Sequence, residues 1–93
     1  MEHKKHKMRD TSLLAYADVL EQLGERQKEV FRVLRELKTA NNTMIAEKIG
    51  LPINSVVPRI YELRKMGVVI FYKKDLCPIT NKKTIFWKCR RDI

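Results

Sequence analysis

The chain has 93 residues, 44% of them apolar and 33% charged, with a formal net charge of +9. That length supports one core burying roughly 60–65% of the unfolded surface. The apolar share excludes a disordered chain, and no apolar run reaches the roughly 20 residues that span a bilayer.

Residues 1–9 carry four Lys/Arg against one Glu and no apolar periodicity, and are expected to form a mobile basic tail. They lead into no signal-type apolar segment, so a cytoplasmic protein is expected, in the host cytoplasm for a viral chain. Residues 10–93 read as a single domain. Asp10-Thr11-Ser12 offers N-caps for a first helix through Leu23. Its Leu13, Leu14, Ala17, Leu20 and Leu23 recur at three- and four-residue spacing. Gly24 breaks it. A second helix is expected from Glu25 to Lys38, with Val30, Val33, Leu34 and Leu37 on one face beside Phe31, and a charged, solvated face opposite.

Asn41-Asn42-Thr43 caps a third helix running to Lys48 or Ile49, which Gly50 ends in a left-handed position. Leu51-Pro52 then forces a turn. A fourth helix starts no earlier than about Ile53, so that Pro58 falls where its missing N–H costs little, and it ends at Gly67. Val68 to Tyr72 is β-branched and aromatic, hence a strand, and TIFWKC (84–89) is its partner. A turn at Asn81-Lys82 would make Thr80 face Lys83, Cys77 face Phe86 and Cys89 face Lys74. Helix, turn, helix and hairpin is the order of an α+β winged helix-turn-helix: a three-helix core with an extra N-terminal helix and a C-terminal two-stranded wing.

The fourth helix carries the functional reading. Val56, Ile60 and Leu63 form a buried stripe. The opposite arc holds Asn54, Ser55, Pro58, Tyr61, Glu62 and Lys65, with Val57, Arg59 and Arg64 on its shoulders. Short polar groups at the N-terminal end let a backbone approach the major groove, where Asn and Arg read adenine and guanine edges. Arg59 could equally serve a phosphate or an intramolecular acid. Ten Lys/Arg against three acids lie in 59–93, whereas 10–58 has six against seven. That concentration, with Lys73, Lys74, Lys82 and Lys83 near the hairpin tip, points to double-stranded DNA as partner. Lysines on an edge strand also discourage aggregation, and the two roles are compatible. Phe71, Tyr72, Phe86 and Trp87 are expected to cover the core rather than stack on bases.

The run IAEKIG…SVVPRIYELRKMGVV resembles MarR-like and related small transcriptional regulators. LGERQKEV (23–30), PINSVVPRI (52–60) and CPITNK…W (77–87) resemble small winged-helix proteins of phages and prophages. The resemblance covers about two-thirds of the chain and implies a recognition helix around Asn54–Lys65 and a wing around Lys73–Lys83. Val57 stands where a hydroxyl residue is usual, and Asn81 where glycine is.

Nothing points to catalysis. His3 and His6 lie in the basic tail without an acidic partner, no glycine-rich phosphate loop is present, and no metal or cofactor is expected. Cys77 and Cys89 lack zinc spacing and do not face each other in the expected register; free thiols are expected, with a disulfide, within the chain or between subunits, as the alternative. The apolar stripe of the first helix, together with the two-fold habit of helix-turn-helix proteins, suggests a homodimer through that helix. A protein–protein module, or a component of viral DNA replication or packaging, are the competing readings.

Overall fold

The computed structural model describes residues 13–93. The elements are α1 (helical over 13–21), α2 (Glu25–Leu37), β1 (Thr39–Ala40), α3 (Asn42–Ile49), α4 (Ile53–Lys65), β2 (Val69–Leu76) and β3 (Lys83–Cys89). The basic tail and the Asp10-Thr11-Ser12 caps lie outside the described residues. The fold is an α+β winged helix.

Local sequence explains most helix ends. Gly24 caps α2: its N–H donates to Gln27 Oε1 at 2.9 Å, so a side chain inside the first turn satisfies the entering backbone. Asn41 caps α3, its Oδ1 accepting the Met44 N–H at 2.8 Å. Gly50 (φ 86°) and Gly67 (φ 80°) take the left-handed conformation that closes α3 and turns the chain out of α4. Pro58 is not in the first turn of α4. It is the sixth helical residue, so the Asn54 carbonyl has no amide to receive from that position.

The core lies where α2, α3 and α4 converge. Val30, Phe31 and Leu34 of α2 meet Ile45 of α3 and Val56, Ile60 and Leu63 of α4, each at most 2% exposed. Each such side chain contributes about 1.5–3 kcal/mol by leaving water. The stripe expected on α1 is only partly right. Val19 and Leu23 are buried, with Tyr16 and Leu20 packed against the core, while Leu13 and Leu14 are 55% and 63% exposed and Ala17 also faces out. Tyr16 stacks on Phe31 at 5.8 Å, and the Arg35 guanidinium covers its ring at 4.1 Å.

The sheet has three antiparallel strands in the order β1-β3-β2. β1, absent from the sequence reading, pairs Ala40 with Trp87. It follows Lys38, whose φ of 74° and ψ of −52° reverse the chain sharply after α2. β2 runs further than Tyr72, and the expected register is wrong. Leu76 faces Lys83, Lys73 faces Phe86 and Val69 faces Cys89, with a bulge between Phe71 and Lys73. A six-residue connection, 77–82, replaces the tight turn. The Cys77 N–H donates to the Lys82 carbonyl and the Asn81 N–H to the Cys77 carbonyl, both at 2.8 Å. Asn81 holds φ 60°, as its expected glycine-like role requires. Both cysteines are free thiols, Cys77 buried and Cys89 half-buried. No helix among the described residues is long and apolar enough to cross a membrane.

Candidate nucleic-acid interface

α4 buries Val56, Ile60 and Leu63 and turns a continuous ridge outward. Asn54, Val57, Pro58, Tyr61 and Lys65 are all exposed on it, and Ser55 is half-buried at its N-terminal end. Spacings of three, four and seven place the first four of these on one face. Ile53, 46% exposed, extends the ridge at its start. Sequence reasoning missed this residue by treating it only as a boundary. Lys65 leans toward the Tyr61 ring, 5.5 Å from its centroid.

Arg59 is placed differently from a base-reading arginine. Its Nε and Nη2 donate to Glu62 Oε1 and Oε2 at 2.9 and 2.8 Å, and Gln27 Nε2 of α2 donates to the same Oε1 at 2.7 Å. Of the two roles left open for Arg59, the structure shows the intramolecular acid. The Arg59 hydrogen bonds, then the one from Gln27, hold the Glu62 carboxyl below its ordinary value. Because Gln27 also accepts from Gly24, one chain of bonds ties the start of α2 to the middle of α4.

On the hairpin, Lys73, Lys74, Lys82 and Lys83 are all exposed. Lys73 Nζ is paired with Asp75 at 2.9 Å, so its charge is offset locally, whereas Lys74, Lys82 and Lys83 make no ion pair among the described residues. Phe86 and Trp87 are buried, as expected. Phe71 and Tyr72 are not: they are 55% and 43% exposed, because the bulge falls at Tyr72 and β2 is the outer strand. Lys88 and Lys73 lie over the Tyr72 ring at 5.2 and 5.6 Å.

Two features join hairpin and helices. Trp87 Nε1 donates to Asn42 Oδ1 at 3.1 Å, and the Arg64 guanidinium covers the Trp87 ring at 4.5 Å. Asn41 Nδ2 donates to Thr84 Oγ1 at 2.9 Å. Between them lies an open groove of about 230 Å³ lined by Asn41, Asn42, Thr43, Ile53, Thr84, Ile85 and Trp87, where the starts of α3 and α4 meet β3. The hairpin tip bends back over α3, with Pro78 and Ile79 facing Leu37, Met44, Glu47 and Lys48. There Cys77 Sγ accepts the Ile79 N–H at 3.4 Å. Burial alone would raise this thiol, but hydrogen bonds from the Thr80 and Ile79 amides and the Asn41 side chain bring it down to about 7. Among the described residues no three His, Cys, Asp or Glu side chains gather as metal ligands.

No family model and no curated protein matches the chain. Solved structures do. NadR in complex with 4-hydroxyphenylacetate is similar with a TM-score of 0.60 and 20% identity, over 96% of this chain and 62% of that one. A Lactococcus lactis ZitR mutant in apo form is similar with a TM-score of 0.56 and 19% identity, over 92% and 61%. The transcriptional regulator PA4135 is similar with a TM-score of 0.51 and 18% identity, over 92% and 62%. The chain thus spans about three-fifths of the length of these structures. The neighbours are MarR-family winged-helix regulators, and at this identity the likeness is one of fold: the chain is an α+β winged helix.

Proposed function

We propose that the protein binds double-stranded DNA and acts as a small transcriptional regulator, laying α4 in the major groove and placing hairpin lysines on the phosphates. The observation that carries this reading is the α4 ridge: one face of the helix is packed on α2 and α3 while Asn54, Val57, Pro58 and Tyr61 stand outward with Ser55 half-buried among them, beside a hairpin with three lysines that make no ion pair among the described residues. Phosphate contacts by Lys74, Lys82 and Lys83 supply affinity without sequence choice. The α4 ridge supplies the choice. The reading is of a binding protein that uses no cofactor and works in the cytoplasm, or in that of the host for a phage-encoded chain, the origin implied by the resemblance of its sequence to small phage proteins.

Retention on a DNA column and its salt dependence test it. With about six phosphate contacts per bound unit, log K falls with log salt at a slope near −5. Binding that ignores salt, or no binding at low salt, overturns the proposal in favour of a protein–protein module.

The same reading includes a homodimer. Leu13, Leu14 and Ala17 of α1 remain outside a core that is already closed by Tyr16, Val19, Leu20 and Leu23. Sedimentation of the intact protein is expected to show a dimer at tens of micromolar, and Leu13→Glu/Leu14→Glu a folded monomer. Both leucines are exposed, so the variant keeps its fold. A monomeric intact protein overturns the dimer.

A further inference from the structure

We propose that the N-terminal half of α4 selects A·T pairs, its Asn54 amide facing adenine and its Val57 methyls facing thymine, with no side chain free there to select guanine. The inference rests on the DNA-binding reading and adds the class of sequence that is read.

Guanine is selected chiefly by a bidentate Arg or Lys on O6 and N7. α4 has three cations. The Arg59 fork is spent on Glu62. Arg64 lies on the Trp87 ring, and Lys65 leans on Tyr61. The last two also sit in the final turn, away from the end that enters a groove. Cytosine is selected by a carboxylate accepting from N4. Glu62, the one acid on this helix, already receives three donors.

What remains at the entering end is an exposed amide, a half-buried hydroxyl and apolar surface. Asn54 has the donor–acceptor pair that matches adenine N7 and N6. Val57, three residues on and 44% exposed, stands beside it on the same ridge with Pro58. Ile53 and Ile85 continue the apolar wall into the groove at the start of α3. In the major groove only thymine presents a methyl group to such a surface.

The test has two steps: selection of preferred duplexes from a random pool by the intact protein, then replacement of thymine by deoxyuridine in the selected core. The replacement removes the C5 methyl and leaves pairing intact. An A·T core is expected, with affinity falling about fourfold per contacted thymine, the equivalent of one buried methylene. Val57→Ala should bind thymine and uracil duplexes alike. Alanine at an exposed helical position preserves the fold. A G·C core, or equal affinity of the intact protein for both duplexes, overturns this inference while leaving DNA binding in place. Failure to bind any duplex at low salt removes the DNA-binding reading itself, and this inference with it.

Discussion

On the proposed DNA-binding reading, replacing Glu62 by Gln isolates the positive charge that α4 withholds from the phosphates. The carboxylate holds the Arg59 fork through both oxygens and takes the Gln27 amide as well. Glutamine keeps a carbonyl for Gln27 but loses the second acceptor, so it cannot grip the fork. Arg59 is then free to reach a phosphate, and the helix becomes one unit more positive. One added phosphate contact steepens the slope of log K against log salt by about 0.9, so a fourfold rise in salt costs the variant about 3.5-fold more affinity than the parent. At low salt it should bind every duplex more tightly, whatever the sequence. Fluorescence anisotropy on matched and scrambled duplexes over a salt series reads both quantities. A slope equal to the parent's would show that the released arginine does not reach DNA, and α4 would have to be moved off the interface. Folding should survive, since a half-buried pair three residues apart on one helix, still open to solvent screening, contributes little. Acid should act in the same direction. The carboxyl titrates below its ordinary 4.5, so the pair's contribution is present above that value and fades only as pH falls through the lowered one.

Asn41→Ala removes both the α3 cap and the bond to Thr84, a loss of about 2 kcal/mol at roughly 1 each, or about 8–16 °C in Tm by thermal circular dichroism. Asn41→Ser should restore the cap alone and recover about half; a change of under about 0.5 kcal/mol in the alanine variant would show that this amide caps nothing. Lys82→Ala with Lys83→Ala should weaken binding to all duplexes alike and flatten the salt slope by about 1.8, and an unchanged slope would remove the hairpin from the interface. The Cys77 thiolate, followed by ultraviolet absorbance in Cys89→Ser, should titrate near 7 rather than at its ordinary 9.0. Its share of stability is then complete above that ordinary value and lost as pH falls through about 7; a single titration near 9 would mean that the tip hydrogen bonds do not form.

The helices that build the core were legible because their ends are chemically marked. Asn41, Gly50 and Gly67 each do what their type does best, and Val56, Ile60 and Leu63 repeat at helical spacing. α1 shows the limit of periodicity. Leu13, Leu14, Ala17, Leu20 and Leu23 make a plausible stripe, but the stripe that docks is Tyr16, Val19, Leu20 and Leu23, and only packing decides between two faces that overlap. β1 is too short for any pattern to show. The hairpin register failed because Cys77 leaves the strand. Its backbone closes a six-residue loop and its sulfur turns inward, and the bulge at Tyr72 then shifts the rest. Arg59 illustrates the same gap in the site. An acid three residues away made the pairing possible, but Gln27 of another helix, which orients that acid, has no local signature.

If α4 reads bases as proposed, that network matters more to it than to an ordinary surface helix. α4 has Pro52 at its N-cap and so no side-chain cap, and Pro58 removes a ladder bond from its second turn, so as an isolated segment it is a weak helix. A surface that discriminates bases must nevertheless hold Asn54 and Val57 within a fraction of an ångström of a fixed position. Packing of Val56, Ile60 and Leu63 sets the depth of the helix but leaves its roll about the axis less restrained, because apolar contacts have little directionality. Directional contacts fix the roll. Gln27 holds Glu62 in the third turn of the helix, and Trp87, itself anchored by Asn42, receives Arg64 in the last turn. On the proposed DNA-binding reading, both networks also occupy cations of α4 that would otherwise face phosphates, Arg59 on Glu62 and Arg64 on the Trp87 ring. On that reading the helix gives up part of its electrostatic attraction for a fixed orientation, and the attraction is left to Lys74, Lys82 and Lys83, which make no ion pair among the described residues.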